Sequence, residues 1–431
     1  MKTLLLVAGR SRRFWPLHEK ALFPVCGKSL LAHIIGRLKE AGCDDIIVVG
    51  GKHNVHAVRS SFPKLQTIEQ EQLELGMRGA LLSALPQIPG EDILLVSSND
   101  VIDASAYRAT VEAGKKADGA MLAQRVTRYF PGGYLSTSAN RITGIVEKPG
   151  EGNEPSDLVN IVCHYHKDST ALFRALQDID TATDDGYEQA LAKLFPDKHY
   201  SAVPYEGFWQ AVKYPWHLLS LLPHVLDSVK GRTIHPTATI HPTAVIEGNV
   251  VIGEGVRVLP FACIKGPCVI GDRTIIGNNA LVRGSSIGND CVIGFATEVK
   301  SSILADHVWT HSTYLGDSVI GENVSFGAGT VTGNLRLDEA EITSTVGEEK
   351  MTTGTTKLGA IIGSDVRIGI SAALNPGVKI GRGTFVSSGC LIEHDLPDSV
   401  FARMKDGRLV TSPNTARAPR PEGREGYRRG V

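Results

Sequence analysis

An arginine-rich turn follows the first apolar segment of the chain and could bind phosphate. Arg10, Arg12 and Arg13 come directly after the apolar residues 3–8, and Lys20 follows shortly afterwards. Arginine makes paired hydrogen bonds to phosphate oxygens, and lysine supplies a point charge. Because open α/β sheets bind ligands beyond the carboxyl ends of their strands, a turn in this position could hold an anionic substrate.

Short apolar segments on either side of this turn predict the sheet that positions it. Residues 3–8, 45–50 and 92–98 are apolar runs of strand length, and residues 29–42 form an amphipathic pattern that stops at Gly42. We interpret the three runs as buried strands and the amphipathic segment as a helix. Strands that alternate with helices favour a parallel sheet covered by helices on both faces.

The second half of the chain has a different period. Aliphatic residues recur at every sixth position in the series Ile234, Ile240, Ile246, Ile252, Val258, Ile264, Ile270, Ile276 and Val282. After one slip the period resumes over residues 287–299, and it returns over residues 362–392. A parallel β-helix produces this period, because each hexad is one short strand and a turn. Residues 335–357 interrupt the repeat and predict a loop on one face of the β-helix.

Composition and charge argue against several classes of protein. Lys plus Arg (45) nearly equals Asp plus Glu (46), and the sequence has no large basic block, which argues against a general nucleic-acid binder. Apolar stretches are too short for a membrane span or a signal peptide. The seven cysteines include no CxxC pair, which indicates free thiols in a reducing compartment. We expect a cytoplasmic protein that binds neither nucleic acid nor membrane.

Six segments of the first half occur in the order of a known family's motifs. They are AGRSRRFWP (8–16), GMRGALLSAL (76–85), SSND (97–100), GIVEKP (144–149), VNIV (159–162) and PWHLL (215–219). Together they resemble the signature of the sugar-1-phosphate nucleotidyltransferases, which join a nucleoside triphosphate to a sugar 1-phosphate and release pyrophosphate. The resemblance spans roughly the first half of the chain and implies a Rossmann-like α/β nucleotidyltransferase domain.

The same resemblance implies a set of substrate-binding residues in this domain. They are Arg13 and Lys20 for the triphosphate, Gly9, Gln72 and Gly76 for the nucleotide, Glu147 for the sugar hydroxyls, Lys148 and Asn160 for the sugar phosphate, and Asp100 for Mg²⁺. In-line attack on the α-phosphorus needs charge neutralisation and positioning, which these residue types can supply.

Several positions depart from the family pattern. Ser11 and Arg12 stand where the family has Gly and Thr, and Met77 replaces a threonine. Ala211 lies where the family has a second carboxylate or amide ligand for the metal. Glu71 occupies the position of the base-reading glutamine, with a glutamine on either side. These departures leave open a domain that binds its ligand without turnover.

The densest motif of the second half is HSTYLGDSVIG (311–321), followed by ENVSFGAGTVTGN (322–334). It resembles the acetyltransferase domain of the bifunctional enzymes that acetylate glucosamine 1-phosphate and then uridylylate the product, in their archaeal-type form. The resemblance implies a left-handed parallel β-helix of the hexapeptide acyltransferase type and acetyl-CoA as co-substrate. It also implies a homotrimer, because such sites form between neighbouring subunits.

The residues implied for acetyl transfer lie on several coils. They are His311 as general base, Tyr314 as donor to the developing oxyanion, Asn334 for the amino sugar, Arg283 and Lys300 for its phosphate, and Ala328, whose backbone would receive the thioester end of acetyl-CoA. Histidine and tyrosine suit these roles chemically. The family's lysine soon after the asparagine is absent, and Lys350 and Lys357 are candidates to replace it.

We expect a nucleotidyltransferase-like domain over residues 1–228, a left-handed β-helix over residues 234–403 and a flexible tail over residues 412–431. The first hypothesis is a bifunctional enzyme that N-acetylates an amino-sugar 1-phosphate and transfers a nucleotidyl group, from UTP by default, to a sugar 1-phosphate. The second is a nucleotidyltransferase whose β-helix is only structural or regulatory. The third is a non-catalytic, ligand-sensing partner of an active enzyme.

Overall fold

The computed structural model of the chain describes residues 1–181, 185–424 and 426. Internal contacts divide the chain into two compact units. The first unit comprises Met1–Arg10 and Leu30–Ala211, and the second comprises Ser11–Ser29 and Val212–Val431. Of the arginine-rich turn, Arg12 and Arg13 therefore belong by their contacts to the unit that contains the β-helix, whereas Arg10 belongs to the first unit.

The elements that precede the β-helix are short strands and helices. The strands are β1 (Lys2–Leu6), β2 (Pro24–Val25), β3 (Lys28–Ser29), β4 (Ile46–Gly51), β5 (Gln66–Gln70), β6 (Ile93–Ser97), β7 (Asp100–Ile102), β8 (Gly119–Arg125), β9 (Gly133–Ser138), β10 (Arg141–Glu147), β11 (Leu158–His166), β12 (Tyr200–Pro204) and β13 (Trp209–Ala211). The α-helices are α1 (Leu30–Glu40), α2 (Val55–Ser61), α3 (Gly76–Ala84), α4 (Ala104–Gly114), α5 (Ser169–Gln177), α6 (Gly186–Leu194) and α7 (His217–Leu226).

A nine-stranded sheet in the order β5-β4-β1-β6-β11-β8-β12-β10-β9 forms the centre of the first unit. The three predicted strands are confirmed as β1, β4 and β6, which pair in parallel and are buried. The predicted helix is confirmed as α1, and Gly42 beyond its end has a φ of 80°, a conformation that glycine adopts without strain.

The prediction of a parallel sheet holds for only part of this sheet. Strand β11 runs antiparallel to both of its main neighbours, β6 and β8, and β9 and β10 form an antiparallel hairpin. The short β9–β10 connection explains the hairpin, since a tight turn can join only antiparallel strands. The sheet is therefore mixed.

Strand β11 contains a bulge where it pairs with β8. Ile161 pairs with Leu122, whereas His164 pairs with Met121, so Val162 and Cys163 are extra residues on β11. A bulge bends its strand and re-aims the neighbouring side chains.

The second unit is a left-handed parallel β-helix with three faces. The first face comprises Arg232–Ile234, Val250–Ile252, Cys268–Ile270, Ser286–Ile287, Ile303–Leu304, Val319–Ile320, Ile361–Ile362 and Lys379–Ile380. The second comprises Thr239–Ile240, Arg257–Val258, Ile275–Ile276, Val292–Ile293, Trp309–Thr310, Ser325–Phe326, Arg367–Ile368, Phe385–Val386, Val400–Lys405 and Arg408–Pro413. The third comprises Val245–Glu247, Cys263–Lys265, Leu281–Arg283, Glu298–Lys300, Tyr314–Gly316, Val331–Thr332, Ala373–Leu374 and Leu391–Ile392.

The six-residue period is confirmed from Ile252 onward, where the inward aliphatic side chains form one continuous core. Ile240 and Ile246 are partly buried against this core, and Ile234 on the first coil is exposed. More slips occur than the single one expected. The core positions reached by five-residue steps are Ile287, Leu304, Leu315 and Ile320. Each such step shortens a turn, while the inward side chain of the next strand still fills the coil.

From Ser286 onward, the outward side of the first face is covered by other parts of the second unit. Its outward residues Ser286, Ile303, Val319, Ile361 and Lys379 are all buried. Segment Ser11–Ser29 contacts this region directly: Trp15 Nε1 donates to Asp398 at 2.9 Å, and the Cys26 amide donates to Ser286 Oγ at 2.8 Å. Helix α7 also contacts Ile303–Leu304.

The predicted insertion is confirmed as an antiparallel hairpin of Thr343–Val346 and Glu349–Thr352. The segment expected to be a flexible tail begins inside the strand Arg408–Pro413, which pairs with Val400–Lys405. A short 3-10 helix, Pro421–Arg424, follows. Residues 425 and 427–431 of the expected tail lie outside the described residues.

Two further features concern the cysteines and the helices. All seven cysteines are free thiols. In the described part of the chain, no helix has both the length and the apolar character needed to cross a membrane.

Candidate functional site

The arginine-rich turn forms a 3-10 helix, Arg12–Phe14, after Ser11, whose φ of 50° is left-handed. The exposed guanidinium of Arg13 lies 5.8 Å from the ring centroid of Tyr214. The ammonium of Lys20 donates to the Val212 carbonyl at 2.9 Å. Both predicted triphosphate-binding cations thus pack against the chain that leads into α7.

Asp100 begins β7 and has an anchored carboxylate. Trp209 Nε1 donates to Asp100 Oδ1 at 2.8 Å, and the ladder partner of Asp100 is Ala211 on β13. The methyl group of Ala211 therefore stands where the family resemblance requires a second metal ligand. Among the residues that the structure describes, no group of three or more His, Cys, Asp or Glu side chains could hold a metal ion.

The side chain of Gln70, and not that of Glu71 or Gln72, holds the loop before α3 in place. The buried Gln70 side chain donates from Nε2 to the carbonyls of Gln72 and Gly76, both at 2.8 Å. The side chains of Glu71 and Gln72 are exposed. Gln70 therefore shapes the loop, and the side chain of the predicted Gln72 is available to a ligand. Earlier on the chain, the Gly9 carbonyl lies 3.3 Å from His53 Nε2.

The residues predicted to bind the sugar 1-phosphate lie on two strands of the sheet or directly after one of them. Glu147 ends β10 and forms an ion pair of 2.8 Å with Lys148. Asn160 lies on β11, where its Oδ1 is 2.7 Å from Nε2 of the buried His164. Sequence reasoning missed His164, because its signal is a bulge that the apolar run does not reveal.

The predicted phosphate-binding cations of the β-helix are each paired with an acid one coil further along. Arg283 donates to Glu298 through two nitrogens at 2.6 and 2.9 Å. Lys300 donates to Asp317 at 2.8 Å, and Asn334 Nδ2 donates to the same carboxylate oxygen at 2.5 Å. The third face thus carries a ladder of charged and amide groups, in which Asp317 joins two of the predicted residues.

Glycine at position 316 allows two predicted groups to converge. A Cβ atom there would lie 2.5 Å from the Tyr314 hydroxyl and 2.9 Å from Asn334 Nδ2. Both distances are below van der Waals contact, so only a residue without a side chain permits this arrangement. The structure therefore brings Tyr314, Asn334, Lys300 and Asp317 together on the third face.

His311 is exposed at the corner between the second and third faces. Its carbonyl accepts a hydrogen bond of 2.8 Å from Thr313 Oγ1. Ala328 is exposed on the next coil, where the Gly329 amide donates to the Ser312 carbonyl at 3.2 Å. The predicted base and the predicted acetyl-CoA contact therefore occupy neighbouring coils at one corner.

Sequence reasoning missed Asp317, although a signal was available. It lies 17 residues after Lys300 and 17 before Asn334, which is the length of one coil in this region. Of the two loop lysines, Lys357 bridges to Leu335, whereas Lys350 pairs with Thr345 in the hairpin. Lys357 is thus the one whose backbone lies beside the strand end that carries Asn334.

Three family models match consecutive parts of the chain. The MobA-like NTP transferase domain matches residues 3–238, the GMPPB C-terminal domain matches residues 229–352, and the bacterial transferase hexapeptide (six repeats) matches residues 359–394.

Curated relatives align along nearly the whole chain. The bifunctional protein GlmU of Methanococcus maripaludis strain S2 is 30% identical over 420 residues, covering 95% of this chain and 99% of that protein. The bifunctional sugar-1-phosphate nucleotidylyltransferase/acetyltransferase of Sulfurisphaera tokodaii is 29% identical, covering 94% and 100%. Among solved structures, a UDP-glucose pyrophosphorylase from Acinetobacter baumanii matches 53% of this chain and 94% of its own, with 18% identity and a TM-score of 0.45.

Proposed function

Because the chain belongs to the family of bifunctional sugar-1-phosphate nucleotidylyltransferase/acetyltransferases that includes the archaeal GlmU proteins, we propose that it is a transferase with two activities in sugar-nucleotide biosynthesis. One transfers an acetyl group from acetyl-CoA to the amine of an amino-sugar 1-phosphate. The other transfers a nucleotidyl group from a nucleoside triphosphate, UTP by default, to a sugar 1-phosphate. The observation that carries this proposal is the alignment of 95% of the chain with 99% of a bifunctional relative.

In acetyl transfer, the amine nitrogen attacks the thioester carbonyl of acetyl-CoA. A carbon–nitrogen bond forms, the carbon–sulfur bond breaks, and His311 accepts the proton that the amine loses. Tyr314 donates to the carbonyl oxygen as negative charge develops on it. Asn334 orients the amino sugar, while Lys300 and Arg283 contact its phosphate. The departing thiolate of CoA takes up the proton, which balances the reaction.

The contacts on the third face support this assignment. The hydroxyl of Tyr314 and the amide of Asn334 lie over the same glycine, and the carboxylate of Asp317 holds Asn334 beside Lys300. A donor for an oxyanion and a cation for a phosphate thus lie on adjacent coils. Such preorganisation lowers the cost of reordering side chains during the reaction.

In nucleotidyl transfer, an oxygen of the sugar phosphate attacks the α-phosphorus, and the bond to the departing pyrophosphate breaks. Arg13 and Lys20 neutralise the triphosphate, and Gly9, Gln72 and Gly76 contact the nucleotide. Glu147 binds sugar hydroxyls, and Lys148 and Asn160 bind the sugar phosphate. The reaction needs charge neutralisation and alignment rather than a covalent intermediate.

The nucleoside triphosphate would carry Mg²⁺ as its counter-ion in this proposal. A single carboxylate fits such an ion, because Mg²⁺ is commonly held by one or two carboxylates together with substrate phosphates and water. Asp100 would hold it, and the hydrogen bond from Trp209 keeps that carboxylate in place. When bound, Mg²⁺ supplies neutralisation of the negative charge on the phosphates.

The domains are residues 1–228 for nucleotidyl transfer, residues 234–403 for acetyl transfer and residues 412–431 as a tail, and the active assembly is a homotrimer. Exposed apolar side chains beside His311 support the trimer. Phe295 and Ile370 are 59% and 56% exposed, and they lie in the coils next to His311 and Ala328. A partner subunit would cover such side chains.

A two-channel assay on the purified chain with Mg²⁺ tests the proposal. One channel measures free CoA from acetyl-CoA and glucosamine 1-phosphate. The other measures pyrophosphate from UTP, dTTP or GTP with N-acetylglucosamine 1-phosphate. Turnover in both channels is expected. CoA release alone would overturn the nucleotidyl activity, and no turnover in either channel would favour the ligand-sensing alternative.

A further inference from the structure

A chain of buried hydrogen bonds in the first unit ends on Asn160. His164 lies between Asn160 and Tyr187, with Nε2 2.7 Å from Asn160 Oδ1 and Nδ1 2.7 Å from the Tyr187 hydroxyl. That hydroxyl is 3.0 Å from His166 Nε2, and His166 Nδ1 is 2.8 Å from the Tyr200 hydroxyl. All of these side chains except that of Asn160 are buried.

The donors and acceptors in this series of hydrogen bonds are consistent with one direction of proton donation, from Tyr200 toward Asn160. The Tyr200 hydroxyl has His166 Nδ1 as its hydrogen-bond partner within the described residues, so it must donate there or leave a buried donor unsatisfied. His166 is then protonated on Nε2 and donates to Tyr187. Tyr187 in turn donates to Nδ1 of His164, which leaves His164 to donate from Nε2 to Asn160.

Both histidines suit this direction because each must be neutral to accept one bond and donate one. Burial lowers the pKa of His166 to about 3. Burial, reinforced by His166, also lowers the pKa of His164 well below its ordinary value. Each ring therefore carries a single proton near neutral pH.

The strand bulge makes the last link possible. Residues four apart on a regular strand are about 13 Å apart, which is too far for a direct side-chain hydrogen bond. The two extra residues between Ile161 and His164 shorten this separation, so His164 reaches Asn160. Bulges of this kind commonly re-aim side chains beside active sites.

We propose that His164, held by Tyr187, is a positioning residue that fixes the carboxamide of Asn160 with its NH₂ group toward the sugar phosphate. The inference rests on the proposed function, in which Asn160 binds that substrate. The Oδ1 atom is occupied by His164, and Nδ2 makes no hydrogen bond within the described residues. Asn160 thus presents two donors, which match the acceptor oxygens of a phosphate or a sugar ring.

The test is Tyr187→Phe in the full chain, assayed for pyrophosphate release. Without the hydroxyl, His164 can adopt its other tautomer, and Asn160 can rotate to present its oxygen instead. We expect the KM for the sugar 1-phosphate to rise about tenfold, the effect of one lost hydrogen bond to a charged group, with the KM for UTP unchanged. Tyr107→Phe is the matched control, because Tyr107 is fully buried and its hydroxyl has no partner among the described residues.

Two His164 variants separate positioning from packing. Glutamine can donate to Asn160 Oδ1, whereas leucine cannot. His164→Gln should therefore keep a KM for the sugar phosphate closer to the unmodified chain than His164→Leu does. Equal values for the two variants, or a Tyr187→Phe variant that behaves like Tyr107→Phe, would overturn the positioning role.

Asn160→Ala distinguishes this proposal from the function on which it rests. If that substitution leaves the KM for the sugar 1-phosphate unchanged, the assignment of Asn160 to substrate binding fails. The positioning role of His164 then fails with it. If it raises the KM while the His164 variants do not, only the positioning role fails. Nitrogen-15 chemical shifts of the histidine rings provide a readout without turnover: both rings should be protonated on Nε2, and protonation on Nδ1 would contradict the proposed direction.

Discussion

The ammonium of Lys300 lies 2.8 Å from the carboxylate of Asp317, and less than one-fifth of either side chain is exposed. The same carboxylate accepts the amide of Asn334. The acid therefore fixes two groups assigned to the amino-sugar phosphate while lowering the positive charge that this substrate meets. Because the Lys300–Asp317 pair is partly buried, removal of one partner is costly, since it leaves the charge of the other without an opposite charge beside it.

Asp317→Asn should weaken acetyl transfer strongly. The variant keeps the size of the side chain but loses the charge that holds Lys300, so we expect kcat/KM for the amino-sugar phosphate to fall at least tenfold. CoA release measures the effect. Glu298→Gln is the matched control, because its pair with Arg283 is more exposed and should contribute less. Equal losses in the two variants would argue against a special role for Asp317.

Gly316→Ala should impair acetyl transfer while leaving nucleotidyl transfer intact. The added methyl group would lie 2.5 Å from the Tyr314 hydroxyl, so the tyrosine must move away from Asn334. We expect a fall in kcat of about tenfold or more, because misplaced groups lose transition-state contacts. The two-channel assay compares both activities in one preparation. An unchanged rate of CoA release would show that Tyr314 does not act at this position.

His311→Ala should reduce kcat for acetyl transfer by about 10²- to 10⁴-fold, the usual contribution of a positioned general base. Because the ring is exposed and makes no part of the core, the variant should keep its unfolding midpoint. His307→Ala provides a comparison from a neighbouring turn of the same β-helix. Full activity of His311→Ala would remove it as the base.

The buried histidines should make the first unit sensitive to acid. The pKa of His166 is about 3 in the folded protein, whereas an unfolded histidine has a pKa of about 6.5. Below pH 6.5 the unfolded state binds the extra proton, so stability is complete above that pH and falls as the pH drops toward 3. We expect a loss of roughly 1 kcal/mol per pH unit from this residue. Urea unfolding at pH 7 and pH 5 should show a smaller pH-dependent loss for His166→Gln, and identical losses would contradict this cause.

The β-helix was predictable because its core repeats, but its irregular steps were not. Thr310 and Thr332 occupy inward positions that a hydropathy pattern assigns to aliphatic residues. The hydroxyl of Thr310 is satisfied within the coils, since it donates to the Val292 carbonyl and accepts from the Gly294 amide. A polar residue with local partners can thus enter the core and hide the period.

From the sequence, the individual candidate residues were easier to propose than the contacts between them. Asn160 and Lys300 stand in recognisable motifs, but His164 and Asp317 act through side-chain hydrogen bonds set by a bulge and by coil length. The mixed sheet was missed for a similar reason. Apolar runs show that a strand is buried and do not show its direction.

The segment that carries Arg13 and Lys20 packs against the β-helix, where Trp15 and Cys26 donate hydrogen bonds to Asp398 and Ser286. Division of the gene after residue 228 would therefore remove the surface on which this segment rests. It would also return the large aliphatic side chains of the first face to water, at about 2 kcal/mol each. The fusion of the two halves is thus hard to reverse in evolution. Residues 1–228 would lose the support of their arginine-rich turn, and residues 229–431 would expose aliphatic side chains of the first face.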